Sequence, residues 1–153
     1  VIVAAAGGAV TMALVAWLFV RPTYAPALAP VNSQIGAKAS DLAVVDGETL
    51  LLGRQVVRLG GIVAPARGTE CGSTDCGVAA ANALAGLVHG QDVNCQIEGH
   101  DDQGRPLGAC RTKDVALNEA LVREGWARAV DAKLRQSEDD ARKGGRGIWG
   151  GGS

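Results

Sequence analysis

The stretch LAVVDGETLLLGRQVVRL, residues 42–59, predicts the first strands of a β-sheet. Its apolar runs have the length and composition of short strands and fall at Leu42–Val45, Thr49–Leu52 and Gln55–Leu59. Asp-Gly at 46–47 and Gly-Arg at 53–54 separate these runs, and such glycine pairs are turn signals. The stretch therefore predicts three consecutive strands joined by tight turns, with residues 60–62 continuing the sheet.

After a polar loop over residues 64–76, the rest of the body mixes helical and strand patterns. Residues 77–89 and 116–124 carry apolar side chains at helical spacing, and residues 133–143 form a charged, mostly solvated helix. Residues 92–98 and 105–111 are two strands around a glycine turn, and we expect Trp149 to pack back on the body. This order predicts an α+β fold, a five-stranded OB-fold β-barrel with about three helices.

The first twenty residues, VIVAAAGGAVTMALVAWLFV, contain no charged side chain. As a helix they would rise about 30 Å, the thickness of the hydrocarbon layer. We therefore expect a single N-terminal transmembrane helix at residues 1–21, a linker rich in Pro and Ala at 22–38, and the folded domain at 39–150. A cleaved signal peptide is the alternative, since residues 27–29 are a passable cleavage site.

Four cysteines lie in the body: Cys71, Cys76, Cys95 and Cys110. An even number beside an export-type segment favours two disulfides in an oxidising compartment. We expect Cys71–Cys76 to close the CGSTDC loop and Cys95–Cys110 to join two strands. Zinc binding is the weaker alternative, because only the first pair approaches the usual ligand spacing.

Six short motifs follow one another along the chain. They are VDGETL at 45–50, VRLGGIVAPA at 57–66, DQGRPL at 102–107, LNEALVREG at 117–125, ARK at 141–143 and GIW at 147–149. Together they resemble the staphylococcal nuclease (thermonuclease) family over essentially all of residues 39–150. The resemblance supports the OB barrel and implies calcium-dependent phosphodiester hydrolysis. In that family two carboxylates hold the metal, a Glu just after the Ala-Pro step is the general base, and two arginines hold the phosphate.

This chain keeps only part of that set. Arg58 and Arg105 stand at the two arginine positions, and Glu48 stands at the first metal-binding position. Val63 stands where the second metal-binding Asp is expected, and Ala66 stands where the general base is expected. Calcium needs several oxygen ligands, and losing a general base costs about 10²–10⁴-fold in rate. We therefore expect no functional catalytic residue, no bound metal and no cofactor, with calcium only if activity persists.

The retained arginines also have a structural interpretation. Arg58 would pair with Glu48 inside the former site, because a buried charge needs a partner, and Arg105 would brace the turn that it follows. Glu70 and Asp75 are the acids close enough in sequence to act as relocated ligands. We interpret His89 and His100 as helix-end and turn residues rather than ligands.

These observations predict a catalytically degenerate, nuclease-like pseudoenzyme in the bacterial inner membrane, single-pass, with its soluble domain in the periplasm. It would be an accessory or structural subunit, with residues 1–20 contacting integral membrane proteins of a larger complex through a small-residue face. A calcium-dependent nuclease with relocated ligands is the alternative. Nucleic acid is disfavoured as a partner by the net charge of −1 and the aromatic content of 3%, since binding usually needs a basic surface and stacking rings.

Overall fold

The computed structural model describes residue 28 and residues 30–150. Within these residues there are ten strands and three α-helices. The strands are β1 Gln34–Ala37, β2 Leu42–Asp46, β3 Thr49–Leu52, β4 Gln55–Leu59, β5 Ile62–Val63, β6 Glu70–Cys71, β7 Thr74–Asp75, β8 Val93–His100, β9 Pro106–Arg111 and β10 Arg128–Ala129. The helices are α1 Cys76–Val88, α2 Leu117–Arg123 and α3 Arg135–Lys143. The predicted α+β class, with three helices, is confirmed.

Six strands form one sheet in the order β1-β8-β9-β4-β3-β2. The predicted run β2–β3–β4 is an antiparallel meander, with Leu42 opposite Leu52 and Leu50 opposite Val57. The pairing of β4 with β9 is the parallel one in this sheet. It joins the meander to the β8–β9 hairpin and thereby brings distant parts of the chain to one end of the sheet.

The sixth strand, β1, lies within residues 22–38, which the sequence predicts as a linker. Ile35 is its buried side chain, and β1 pairs antiparallel with β8. The sheet thus begins before residue 39 and has six strands where five are expected. One buried residue in a four-residue strand leaves no alternating pattern to detect.

The helices cover the sheet with the faces that their spacing predicts, with small shifts. Leu84 and Val88 of α1 are buried, whereas Ala85 is exposed. Gly77 in the first turn lies so close to the preceding loop that an added Cβ would be 2.1 Å from the carbonyl oxygen of Ala66. A side chain is therefore excluded at this position, which fixes the loop against the start of α1.

Both expected disulfides are present. Cys71 and Cys76 have Cα atoms 5.8 Å apart, and Cys95 and Cys110 have Cα atoms 3.9 Å apart. The second pair links β8 to β9 inside the hydrophobic core. As disulfides, these sulfur atoms are not thiolate ligands for zinc.

The C-terminal segment packs back on the body as expected. The guanidinium groups of Arg128 and Arg142 lie 4.9 and 4.2 Å from the ring centre of Trp149. Arg142 also donates to the buried Glu138 at 2.8 Å. These stacked cations hold Trp149 against α3.

Among the described residues, no helix combines the length and the apolar character that crossing a membrane requires. The predicted transmembrane segment, residues 1–21, lies outside the described residues.

Candidate functional site

The residues carried over from the family resemblance meet at one end of the sheet. Glu48 lies in the turn between β2 and β3, and Arg58 lies in β4. The register of β3 with β4 places Arg58 opposite Thr49, the residue that follows Glu48. The parallel register of β4 with β9 places Arg58 beside Leu107, close to Arg105. Sheet pairing alone therefore brings Glu48, Arg58 and Arg105 together.

Glu48 is fully engaged by protein groups. Its Oε1 forms an ion pair with Arg58 Nη2, and its Oε2 accepts a hydrogen bond from the backbone N–H of Ala64 at 2.8 Å. The Glu48 side chain is 12% exposed and that of Arg58 is 25% exposed. The predicted pairing of Arg58 with Glu48 is thus present in the structure.

Asp101 is the member of this site that the sequence analysis missed. Its Oδ2 lies 2.7 Å from Arg105 Nε and 3.4 Å from Arg58 Nη1. Its Oδ1 accepts from the backbone N–H groups of Gln103 and Arg105, both at 2.9 Å. Asp101 therefore holds the β8–β9 turn and both arginines at once. The sequence signal for this role is that Asp101 lies four residues before Arg105. Because Asp101 begins an Asp-Asp-Gln-Gly run, it is easily interpreted as a turn residue only.

Glu48, Arg58, Asp101 and Arg105 together form what we call the four-charge cluster. Burial on its own raises the pKa of Asp101, but hydrogen bonds from the backbone and side chain of Arg105 outweigh it and bring the pKa to about 2. Burial lowers the pKa of Arg58, and the contacts with Glu48 and Asp101 more than reverse this, so the net shift is upward. Asp101 and Arg58 are therefore ionised near neutral pH. The cluster consists of two acidic and two basic side chains, so its formal charges cancel.

The two positions that depart from the family, Val63 and Ala66, flank the segment whose Ala64 N–H binds Glu48. Val63 is 49% exposed in β5, one residue before the Ala64 N–H that binds Glu48. Ala66 is exposed in the loop between β5 and β6. Neither side chain has an oxygen or a titratable group, so these two positions supply no side-chain metal ligand and no base.

The two candidate relocated acids, Glu70 and Asp75, are not arranged to act as a metal ligand or a general base. Asp75 caps α1: its Oδ1 accepts from Val78 N at 3.0 Å and its Oδ2 from Gly68 N at 2.9 Å. These backbone hydrogen bonds, that of Val78 first, lower the pKa of Asp75, which makes it a poor base. Glu70 is exposed and lies opposite Asp75 in the β6–β7 ribbon.

Calcium, which the family resemblance implies, does not fit the donors present. Calcium takes six to eight oxygen ligands, but both oxygens of Glu48 already bind Arg58 and Ala64. Within the described residues, no group of three or more His, Cys, Asp or Glu side chains is arranged to hold a metal ion. We therefore derive no chemical step through a metal.

The two histidines stay apart from this chemistry. His89 is exposed at the C-terminal end of α1. His100 ends β8, and its Nε2 is buried without a hydrogen-bond partner among the described residues. Neither contributes a polar contact to the four-charge cluster in this part of the chain.

A comparison with protein families identifies a matching family. The family described as staphylococcal nuclease homologue matches residues 56–151, more than half of the 153 residues. The match includes Arg58, Val63, Ala66 and Arg105, and it begins after Glu48. Among curated proteins, none matches the chain.

Proposed function

The chain belongs to the family of staphylococcal nuclease homologues, and from this premise we propose that it is a catalytically degenerate member. Its role would be that of an accessory or structural subunit of a membrane protein complex. The finer architecture that we propose is an OB-type barrel. The contact of β1 with β3, across the open side of the sheet, supports closure.

One observation carries the proposal: the arginines that would hold a phosphate are neutralised by carboxylates of the same chain. Arg58 binds Glu48 and Asp101, and Arg105 binds Asp101 through its Nε. A phosphate would have to compete with Glu48 and Asp101 for Arg58, and with Asp101 for the Nε of Arg105, and a displaced carboxylate would lose its partner in a mostly buried position. That desolvation penalty opposes binding.

The missing groups point in the same direction. The absence of a base at Ala66 corresponds to a rate loss of about 10²–10⁴-fold. The absence of a ligand oxygen at Val63 weakens any metal site further, because calcium affinity follows the charge of its ligands. The two deficits affect different steps, so repairing one would not restore turnover.

The membrane assignment rests on the sequence of residues 1–21. We propose that this segment is a single transmembrane helix in the bacterial inner membrane and that residues 1–20 contact integral membrane partners. The two disulfides support a periplasmic location for the domain, since such bonds persist in oxidising compartments.

The test uses the full chain purified in mild detergent. It is incubated with single-stranded DNA in the presence of calcium or a chelator, beside an Arg105→Ala variant. We expect no chelator-sensitive cleavage, and the same background for both proteins. Cleavage that needs calcium and disappears in Arg105→Ala would establish the alternative, a nuclease with relocated ligands.

The subunit role needs a separate measurement. Native mass spectrometry of the chain extracted in mild detergent should show it bound to other integral membrane proteins. A variant lacking residues 1–21 should lose them. A monomer in both cases would contradict the accessory role without bearing on catalysis.

A further inference from the structure

A groove lies at the end of the sheet opposite the four-charge cluster. It has a volume of about 760 Å³. Its walls are the end of β1, the turn between α1 and β8, and the residues that follow β9. The cluster lies at the other ends of β8 and β9, about 20 Å away at 3.3 Å per residue. The groove is therefore a separate site.

Positive charge predominates in this groove. Its ionisable lining residues are Lys38, Asp92, Arg111 and Lys113. Lys38 Nζ lies 2.6 Å from Asp92 Oδ2, so that pair is neutral. Arg111 donates only to the backbone carbonyls of Thr112 and Lys113, at 3.3 and 3.4 Å. Within the described part of the chain neither Arg111 nor Lys113 has a carboxylate partner, which leaves two cations for a ligand.

The other lining residues indicate which anion fits. Among the residues that the structure describes, the lining contains no aromatic ring, so nucleic-acid bases have no stacking surface there. Asp92 lines the groove together with Lys38, Arg111 and Lys113, so these four side chains carry a formal charge of three positive and one negative, which is low for a densely charged polyanion. The Gln91 and Asn94 carboxamides and the open space over Gly90 offer hydrogen bonds and room for a main chain. Spaced carboxylates on a polypeptide match this combination best.

We propose that the groove is the docking site for an acidic segment of a partner protein. Carboxylates of that segment would bind Arg111 and Lys113, and the exposed carboxamides would bind its backbone. This inference rests on the proposed accessory role, because it names the kind of partner surface that such a subunit would recognise.

The direction from which the chain enters the domain favours a protein over lipid headgroups. The side chain of Leu28 lies against Gly104, at the end of the domain that carries the four-charge cluster. From there the chain runs along β8, with Asn32 N bonded to Ile97 O, and reaches the groove only at the end of β1. A domain tethered through the residues before 28 would thus have its groove at the end away from the tether.

The experiment measures fluorescence anisotropy of a labelled peptide of alternating Glu and Ala, titrated with the full chain in mild detergent. We expect salt-sensitive binding. It should weaken about tenfold in Lys113→Glu, because one attraction becomes a repulsion. Asp92→Asn should tighten it, because this change removes the carboxylate that neutralises Lys38 and leaves a third cation for the peptide. Lys143→Glu, the same charge change on an exposed residue of α3, is the matched control and should bind like the parent.

Three results would overturn the proposal: no binding of the acidic peptide, equal weakening by Lys113→Glu and Lys143→Glu, or tightening that fails to appear in Asp92→Asn. Stronger binding of single-stranded DNA or of phosphatidylserine vesicles, lost in Lys113→Glu, would assign the groove to those ligands instead. The DNA-cleavage assay is independent of this titration. Peptide binding by a chain that cleaves DNA would therefore reject the proposed function alone.

Discussion

Glu48→Gln separates the two interpretations of the four-charge cluster. Glutamine has nearly the shape of glutamate but only one acceptor oxygen. In the parent, one Glu48 oxygen binds Arg58 and the other binds the Ala64 N–H. The carboxamide can serve one of these donors, and its own NH₂ then faces the other. The substitution thus removes one charge-assisted hydrogen bond with little change in packing.

The expected loss of stability follows from that bond. A hydrogen bond to a charged group contributes about 1.5–3 kcal/mol. Glu48 is 12% and Arg58 25% exposed, so water screens part of the interaction, and we expect a loss of about 2 kcal/mol. For a domain of this size that corresponds to a fall in Tm of roughly 8 °C.

The same substitution should create anion binding. Without the Glu48 charge, the ion pair that Arg58 keeps within the described residues is the longer one to Asp101, at 3.4 Å, and its guanidinium can donate to a phosphate. Inorganic phosphate should therefore raise the Tm of Glu48→Gln more than that of the parent, because a ligand that binds only the folded state stabilises it. If Glu48 instead held a metal in an active nuclease, the variant would lose cleavage and gain nothing from phosphate.

Thermal and denaturant unfolding of the parent, Glu48→Gln, Arg58→Gln and the double variant complete the test. Glu98→Gln is the matched control, since Glu98 is exposed and makes no ion pair within the described residues. We expect a coupling energy of about 1.5–2 kcal/mol between Glu48 and Arg58. A coupling energy below about 0.5 kcal/mol, or equal phosphate effects on parent and variant, would refute the reasoning.

Three further predictions concern the fold. Gly77→Ala should destabilise the domain by about 3 kcal/mol or more in denaturant unfolding, because the new Cβ would overlap backbone atoms. Gly86→Ala is the control in the same helix. Its new Cβ meets no described atom within 4 Å, so it should stabilise the domain by about 0.5–1 kcal/mol. The pKa of Asp101 is lowered from 3.8 to about 2, so its stabilising contribution is complete above pH 3.8 and is lost as the pH falls through about 2; unfolding measured across this range should show an acid loss that Asp101→Asn flattens. Cys95 and Cys110 are separated by 15 residues, and replacing both by Ala should lower the free energy of unfolding by about 3 kcal/mol. The same replacement of Cys71 and Cys76, which close a shorter loop, should lower it by about 2 kcal/mol. Equal Tm losses for the two double variants would contradict this prediction.

The elements that the sequence predicted well are those in which local pattern and tertiary contacts agree. The meander of residues 42–59 and the first helix carry clear periodicity and turn residues, and their observed bounds differ from prediction by one residue at most. The disulfide pairing also followed from the sequence, because each pair joins neighbours along one loop or one hairpin.

What the sequence did not predict depends on distant pairing. The two-residue strands β5 and β10 are extended because they pair with each other. Their paired residues Val63 and Arg128 are 65 positions apart in the sequence. β1 likewise owes its conformation to β8. Asp101 joined the site because the parallel pairing of β4 with β9 places its turn beside Arg58. No local pattern encodes such a register.

The departures at Val63 and Ala66 and the pairing of the arginines are physically connected. In a site without a bound cation, a mostly buried carboxylate such as Glu48 is stable only beside a positive group. The guanidinium of Arg58 provides that group, and Asp101 then balances both Arg58 and Arg105. The arginines therefore have a structural role, as partners of Glu48 and Asp101, whether or not a phosphate ever binds. Their presence in this chain is therefore no argument for activity. A rise in Tm with phosphate that is larger in Glu48→Gln than in the parent would show directly that the Glu48 carboxylate occupies Arg58.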